Sequence, residues 1–151
     1  MRSIGSIIFS ALLAFSVGLS AGEIGMVLKA KGSVEIHRGS ETLKAKKKFK
    51  VEAGDRIVTG KKDQVFLRMI DKSKIIIRPN SEVVLADLVY EKKSTDKQET
   101  SVLKGGIRAV SGEIAKKNRD NVKFSAGTAT IGIRGTAVSY THLTLPTMFE
   151  V

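Results

Sequence analysis

The sequence predicts an all-β fold, a single compact roll, sandwich or short solenoid that follows a cleaved signal peptide. Apolar and polar residues alternate over short segments, and turn residues separate these segments about every ten positions. No long stretch carries apolar residues at helical spacing. The chain has no cysteine, so disulfides and thiolate metal sites are excluded and burial alone has to stabilise the fold.

The first 21 residues are predicted to be a secretory signal peptide. Residues 1–3 are short and basic, residues 4–17 are apolar with small polar interruptions, and residues 18–21 are small enough for cleavage. The alternative is a retained membrane anchor, but the apolar part is shorter than the roughly 20 residues that span a bilayer. We therefore expect a periplasmic or secreted mature chain that begins near Ala21 or Gly22 and has no stable membrane span.

The strands are predicted from the alternation in chain order. They are short segments around Val27 and Ile57 and the stretches 34–36, 65–70, 74–78, 82–90, 102–110, 122–125 and 128–134. The polar residues 92–100 predict an exposed hairpin loop, and Gly105-Gly106 predicts a bend or bulge within its strand. Residues 111–121 have room for one helical turn around Ile114. The expected core residues are Val34, Ile36, Ile57, Phe66, Ile75, Ile77, Val83, Leu85, Val122, Phe124 and Ile131.

Four turn signatures lie between these strands or at their ends. They are Gly54-Asp55 with Thr59-Gly60, then Asp71-Lys72-Ser73, then Pro79-Asn80-Ser81, and finally Arg134-Gly135-Thr136. Glycine allows positive φ, Asp and Asn side chains bond to their own turn, and proline presets one backbone angle. Structural roles are therefore predicted for Gly54, Asp55, Gly60, Asp71, Ser73, Pro79, Asn80, Ser81, Gly135 and Thr136.

In this order and spacing the signatures resemble the FecR domain. The pattern of that family runs Gly-Asp-x-Ile-x-Thr-Gly, a strand into Asp-Gly-Ser, Pro-Asn-Ser and later Arg-Gly-Thr, and the resemblance covers about residues 25–136. Lys72 stands where the family usually has glycine, and residues 125–127 replace its common Thr-Pro. Full regulators of the family carry a cytoplasmic anti-sigma segment and a membrane helix ahead of this domain, and this sequence shows neither. The resemblance therefore implies the extracytoplasmic module, a β-rich domain for protein contacts and signal relay without known catalysis.

The charge of the chain is strongly positive. The formal net charge is +11, and without Arg2 of the signal peptide 25 basic side chains face 15 acidic ones, a net charge of +10. The candidate contacts for an anion or a partner are Lys44, Lys46, Lys47, Lys48, Lys50 and Arg134. The alternatives are a solvated loop or an edge strand protected by lysines for the basic run, and a structural hydrogen bond for Arg134.

Neither catalysis nor a cofactor is predicted. His37 and His142 stand apart from any nucleophile or metal partner, and the glycine-rich stretches match no phosphate-binding loop. Nucleic acid is not an expected partner, because stacking on bases needs aromatic side chains and residues 22–137 contain few of them. The sequence thus leaves two functions: a module for protein contacts and envelope signal relay, or a structural or adhesive module that binds anionic wall or membrane polymer through its basic run.

The last residues carry a different pattern. Residues 138–151 resemble a translated transposon adapter from sequencing libraries, and nothing in the strand pattern requires them. We interpret them as a non-native read-through tail; the alternative is a genuine final strand and terminus. The predicted division is therefore a signal peptide at 1–21, a FecR-like β domain at 22–137 and this tail. A genomic sequence that encodes the tail unchanged would prove the interpretation wrong.

Overall fold

The computed structural model describes residues 22–132 and 137–142, most of which lie in strands. In chain order these are β1 (Glu23–Lys31), β2 (Glu35–Arg38), β3 (Glu41–Lys44), β4 (Lys50–Glu52), β5 (Arg56–Val58), β6 (Gln64–Met69), β7 (Lys74–Ile77), β8 (Glu82–Val89), β9 (Lys97–Val110), β10 (Val122–Ala126), β11 (Ala129–Gly132) and β12 (Ala137–His142). The predicted all-β class is confirmed. The predicted signal peptide, the motif at 134–136 and residues 143–151 lie outside the described residues.

The described strands form one sheet that curls into a half-barrel. Strand β9 belongs to both halves of this sheet. Its residues 97–104 pair with β8, and residues 98–102 also pair in parallel with β10. Its residues 107–110 pair with β7, and residues 105–110 pair with β12. We call the half made of β4, β1, β6, β7, the end of β9 and β12 the first wall. The second wall consists of β3, β2, β5, β8, the start of β9, β10 and β11.

The passage of β9 from one wall to the other occurs at Gly105. This residue has a φ of +78°, and the register between β8 and β9 shifts beside it. A side chain here would also have no room, because a Cβ atom would lie 2.5 Å from the carbonyl oxygen of Asn80 and closer still to Ser81 Oγ. The bend predicted from Gly105-Gly106 is confirmed.

The hydrophobic core lies on the concave side of the half-barrel. Of the expected core residues, nine are buried and Ile131 packs partly buried against them. The expectation for Phe66 is wrong, since Val65 and Leu67 are fully buried and Phe66 lies half-buried on the opposite, outer face. Apolar residues occupy both faces of β6, so the alternation gave no unique phase, and a shift of one residue exchanges the faces of a strand.

The predicted loop at 92–100 is wrong in its second part. Strand β9 begins at Lys97, and Gln98 and Thr100 point into the interior, each about 2% exposed. Gln98 lies between Leu88 and Val122 of the neighbouring strands. These inward positions are polar, so the alternation that marks a half-buried strand is masked in the sequence.

A short helix, α1 (Glu113–Lys117), and a 3₁₀ turn (Arg119–Asn121) connect β9 to β10. The helical turn predicted around Ile114 is confirmed, and Ile114 and Ala115 fill the end of the core. Within residues 22–132 and 137–142, neither helical segment has the length and apolar character needed to cross a membrane.

Candidate functional site

The Gly-Asp signature contains a buried carboxylate that holds an arginine. Asp55 is completely buried, and the Nε and Nη2 atoms of Arg38 donate to its two carboxylate oxygens at 2.8 Å each. The backbone N–H of Glu52 donates to the same carboxylate at 2.8 Å. The hydrogen bond to Asp55 raises the pKa of Arg38 above its ordinary value. Because Asp55 is engaged on both oxygens, it joins β2 to the turn between β4 and β5.

The arginine of this pair also bridges to the basic run. Its Nη1 atom donates to Glu52 Oε1 at 2.9 Å, and its Nη2 atom donates to the carbonyl oxygen of Lys50 at 3.1 Å. Its guanidinium lies 5.7 Å from the centre of the Phe49 ring. The sequence gives no local indication of this role, since the carboxylate that Arg38 contacts lies 17 positions away.

The Thr-Gly and Pro-Asn-Ser signatures form one hydrogen-bonded cluster. The hydroxyl of Thr59 donates to the carbonyl oxygen of Arg78 at 2.6 Å and accepts from the backbone N–H of Ser81 at 2.9 Å. The Ser81 hydroxyl oxygen in turn accepts from the backbone N–H of Gly106 at 3.0 Å. These bonds tie β5, the turn before β8 and the bend of β9 together.

Backbone geometry explains the other members of these two signatures. Asn80 has a φ of +52°, and its N–H donates to the carbonyl oxygen of Gly60 at 2.9 Å. Gly54 has a φ of +88°, and its N–H donates to the carbonyl oxygen of Leu85 at 2.7 Å. Pro79 supplies its carbonyl oxygen to the Ser81 hydroxyl at 3.2 Å. Each of these residues lies in a turn, and a backbone group of each takes part in a hydrogen bond that holds the turn.

The Asp71-Lys72-Ser73 signature forms the turn between β6 and β7. One oxygen of the fully buried Asp71 accepts from the N–H of Ser73 at 3.1 Å and from its hydroxyl at 2.6 Å. The carbonyl oxygen of Asp71 accepts from the N–H of Glu113 at the start of α1, at 2.8 Å. Lys72 adopts a φ of +66°, in the left-handed region that favours glycine. The turn therefore has a left-handed backbone here, although lysine replaces the family's usual glycine.

The basic run lies at the edge of the sheet, in the turn from β3 to β4. Its five lysines are exposed, and Lys48 has a φ of +68°. Lys50 forms an ion pair with Glu23 at 2.7 Å, and the hydrogen bond from this pair raises the pKa of Lys50. The side chains of the other four make no hydrogen bond or ion pair with a described residue. The structure thus brings these lysines together, whereas Arg134 lies outside the described residues.

A pocket that the sequence analysis missed lies beside α1. It has a volume of about 320 Å³ and is lined by Lys92, Lys93, Ser94, Asp96, Ile114, Lys117, Asn118 and Asn121. One oxygen of the buried Asp96 accepts from the N–H of Glu91 at 2.8 Å, while its other oxygen has no partner among the described residues. Desolvation, together with the charges of Glu113, Asp71 and Asp96, raises the pKa of nearby Tyr90. Because the pocket residues come from a loop and two short helical segments, only the folded topology assembles them.

The histidine that the structure describes in full is a surface residue. The Nε2 atom of His37 lies 3.5 Å from a carboxylate oxygen of Glu35, and its Nδ1 atom lies 3.2 Å from the hydroxyl of Thr42. No three histidine or acidic side chains within residues 22–132 are grouped so as to hold a metal ion. The side chain of His142 lies outside the described part.

Comparison with known proteins gives one match. A family model described as FecR protein matches residues 55–151, which is 97 of the 151 residues. The matched region begins at the buried Asp55 and contains all later turn signatures. No curated protein and no solved structure matches the chain.

Proposed function

Because the chain belongs to the FecR family, we propose that it is a non-catalytic envelope module that makes protein contacts and relays a signal. Proteins of this family are generally regulatory. The observation that carries the proposal is the hydrogen bonding of the turn signatures. The side-chain oxygens of Asp55, Thr59 and Ser81 form hydrogen bonds that join strands. The turn signatures therefore hold the strands of the frame together, and the exposed faces of the frame are left for partners.

The domain assignment and the location belong to the same proposal. Residues 1–21 direct export and are removed, residues 22–137 form the working domain in the periplasm or outside the cell, and residues 138–151 are read-through. A protein partner in the envelope then meets a frame with two walls, each with an exposed outer face.

Photocrosslinking in the envelope tests this function. The full chain is produced in a bacterium with a photoreactive amino acid in place of Ile76 on the first wall or Leu103 on the second. We expect processing of the leader and a discrete protein adduct from at least one position. Adducts with lipid or glycan alone, or no adduct at either position, contradict the proposal.

The exposure of the basic run favours a second function, binding of anionic wall or membrane polymer. Four of its lysines carry charge without an ionic partner among the described residues, and such lysines are available to phosphate or carboxylate groups.

For this second function we predict that K46E/K47E abolishes binding to phosphatidylglycerol vesicles and that added salt weakens the binding of the unchanged chain. The matched control is K61E/K62E, which reverses two exposed lysines in the turn between β5 and β6. Sedimentation with vesicles measures both. Equal binding by K46E/K47E and the unchanged chain, or binding that survives high salt, argues against an electrostatic polymer site.

A further inference from the structure

The outer face of the first wall concentrates positive charge. We call the residues Lys29, Lys31, Arg68, Lys74 and Arg108 the basic face; they come from β1, β6, β7 and the end of β9. All five are exposed, and their neighbours in the same strands point to the core. The strand register aligns them in rows: Lys29 and Arg108 stand at the ends of a row whose middle is Phe66 and Ile76.

No acidic side chain of the described first-wall strands neutralises this face. Strands β6 and β7 and residues 107–110 contain neither Asp nor Glu. Glu23 at the start of β1 pairs with Lys50 instead, and Glu52 of β4 pairs with Arg38. The five cationic side chains make no hydrogen bond or ion pair with any described residue. These five charges therefore take part in no contact within the described part of the fold.

The outer face of the second wall has a different charge pattern. Arg56 forms an ion pair with Glu82, and Lys97 forms one with Asp87 at 2.7 Å. Lys123 lies opposite Glu99 in the register of β10 and β9. These three cations of the second wall thus have a carboxylate beside them, whereas the five cations of the basic face do not.

Close placement of unpaired cations has an electrostatic cost. Neighbouring strands lie about 4.8 Å apart, so charges on adjacent strands repel one another across a surface that offers no counter-charge. The same arrangement creates a strong positive potential that attracts an anionic partner and speeds its approach. An anionic partner that covers the face relieves this repulsion.

The apolar centre of the face distinguishes between anionic partners. Phe66 and Ile76 are half-buried, and Lys29 and Arg108 flank them in the strand register. An apolar centre with a polar rim is typical of protein interfaces. Binding to lipid by insertion scales with the apolar area that enters the bilayer, and Phe66 and Ile76 are already half-buried in the sheet.

We propose that the basic face is the docking surface for a protein partner with an acidic, partly apolar surface. This inference rests on the proposed function and adds to it the face that is used and the chemistry of the partner. The partner's carboxylates meet the five cations, and its apolar side chains cover Phe66 and Ile76. The second wall stays exposed.

A charge-reversal pair tests the inference. The full chain and the variants K29E/K74E and K104E/K123E are titrated with a fluorescent, short glutamate-rich peptide that carries interspersed phenylalanines. All four lysines are exposed strand residues, and the two variants change the net charge equally. We expect K29E/K74E to weaken binding about tenfold or more, because like charges then face each other. We expect K104E/K123E to change it less than about twofold. Thermal melting checks that each variant is folded.

The possible outcomes distinguish a failure of the basic face from a failure of the proposed contact function. Equal weakening by both variants, or stronger binding to phosphatidylglycerol vesicles than to the peptide, overturns the basic face as a protein site. A protein adduct from the photoreactive residue at Leu103 and none from Ile76 also overturns it, while the proposed contact function stands. Loss of the Ile76 adduct in K29E/K74E, and its retention in K104E/K123E, supports the proposed face in the envelope.

Discussion

Replacing Arg38 by methionine lowers the free energy of unfolding by about 3–5 kcal/mol, the usual cost of removing one partner of a buried ion pair. The loss is large because Asp55 is completely buried and accepts two of its three hydrogen bonds from this arginine. Without Arg38 the carboxylate stays inside with a single backbone donor from Glu52. Urea denaturation followed by circular dichroism measures the change.

The control for this prediction is Arg56→Met. Arg56 also forms an ion pair, with Glu82, but its side chain is 51% exposed, whereas the Asp55 side chain is 1% exposed. An exposed pair contributes at most about 1 kcal/mol, so this variant is expected to stay close to the unchanged chain. Equal losses in the two variants would show that the burial of Asp55 is not what makes the Arg38 pair important.

Replacing Gly105 by alanine is the second substitution with a large effect, an expected loss of about 2–4 kcal/mol. About 1–2 kcal/mol comes from the left-handed backbone, and the rest comes from overpacking. The new methyl group would overlap Ser81 Oγ and the carbonyl oxygen of Asn80, which belong to the cluster that holds β9 to the turn before β8.

Gly39→Ala separates the two contributions. Gly39 also has a positive φ, +58°, but a Cβ atom there meets nothing within 4 Å. Its expected loss is about 1 kcal/mol, from backbone strain alone. The same denaturation experiment compares the two variants. If they lose the same stability, the close approach at Gly105 has no energetic consequence.

The sequence was informative where local chemistry decides the structure. The alternation at Val34 and Ile36 and the turn at Pro79-Asn80-Ser81 follow from side-chain period and turn propensity, so both could be predicted from a few residues. The bend at Gly105 could be predicted for the same reason, because adjacent glycines weaken regular pairing.

The features that could not be predicted depend on contacts between distant parts of the chain. Nothing near Arg38 indicates that it reaches Asp55, and the inward placement of Gln98 follows from its neighbours on β8 and β10. The basic face also could not be recognised from the sequence, because its five cations come from four strands and no two of them are adjacent in the chain. The run at 44–50 drew attention instead, since its lysines are nearly contiguous.

The position of β9 has a consequence for how the protein reaches this fold. This strand pairs with β8 in the second wall and with β7 in the first, and it comes after both in the chain. Until residues 97–110 have been synthesised, the two walls share no strand, and the edges of β7 and β8 stay unpaired. Closing the half-barrel is therefore a late event that a chain stopped before residue 97 cannot reach, and such a chain exposes open strand edges that favour aggregation.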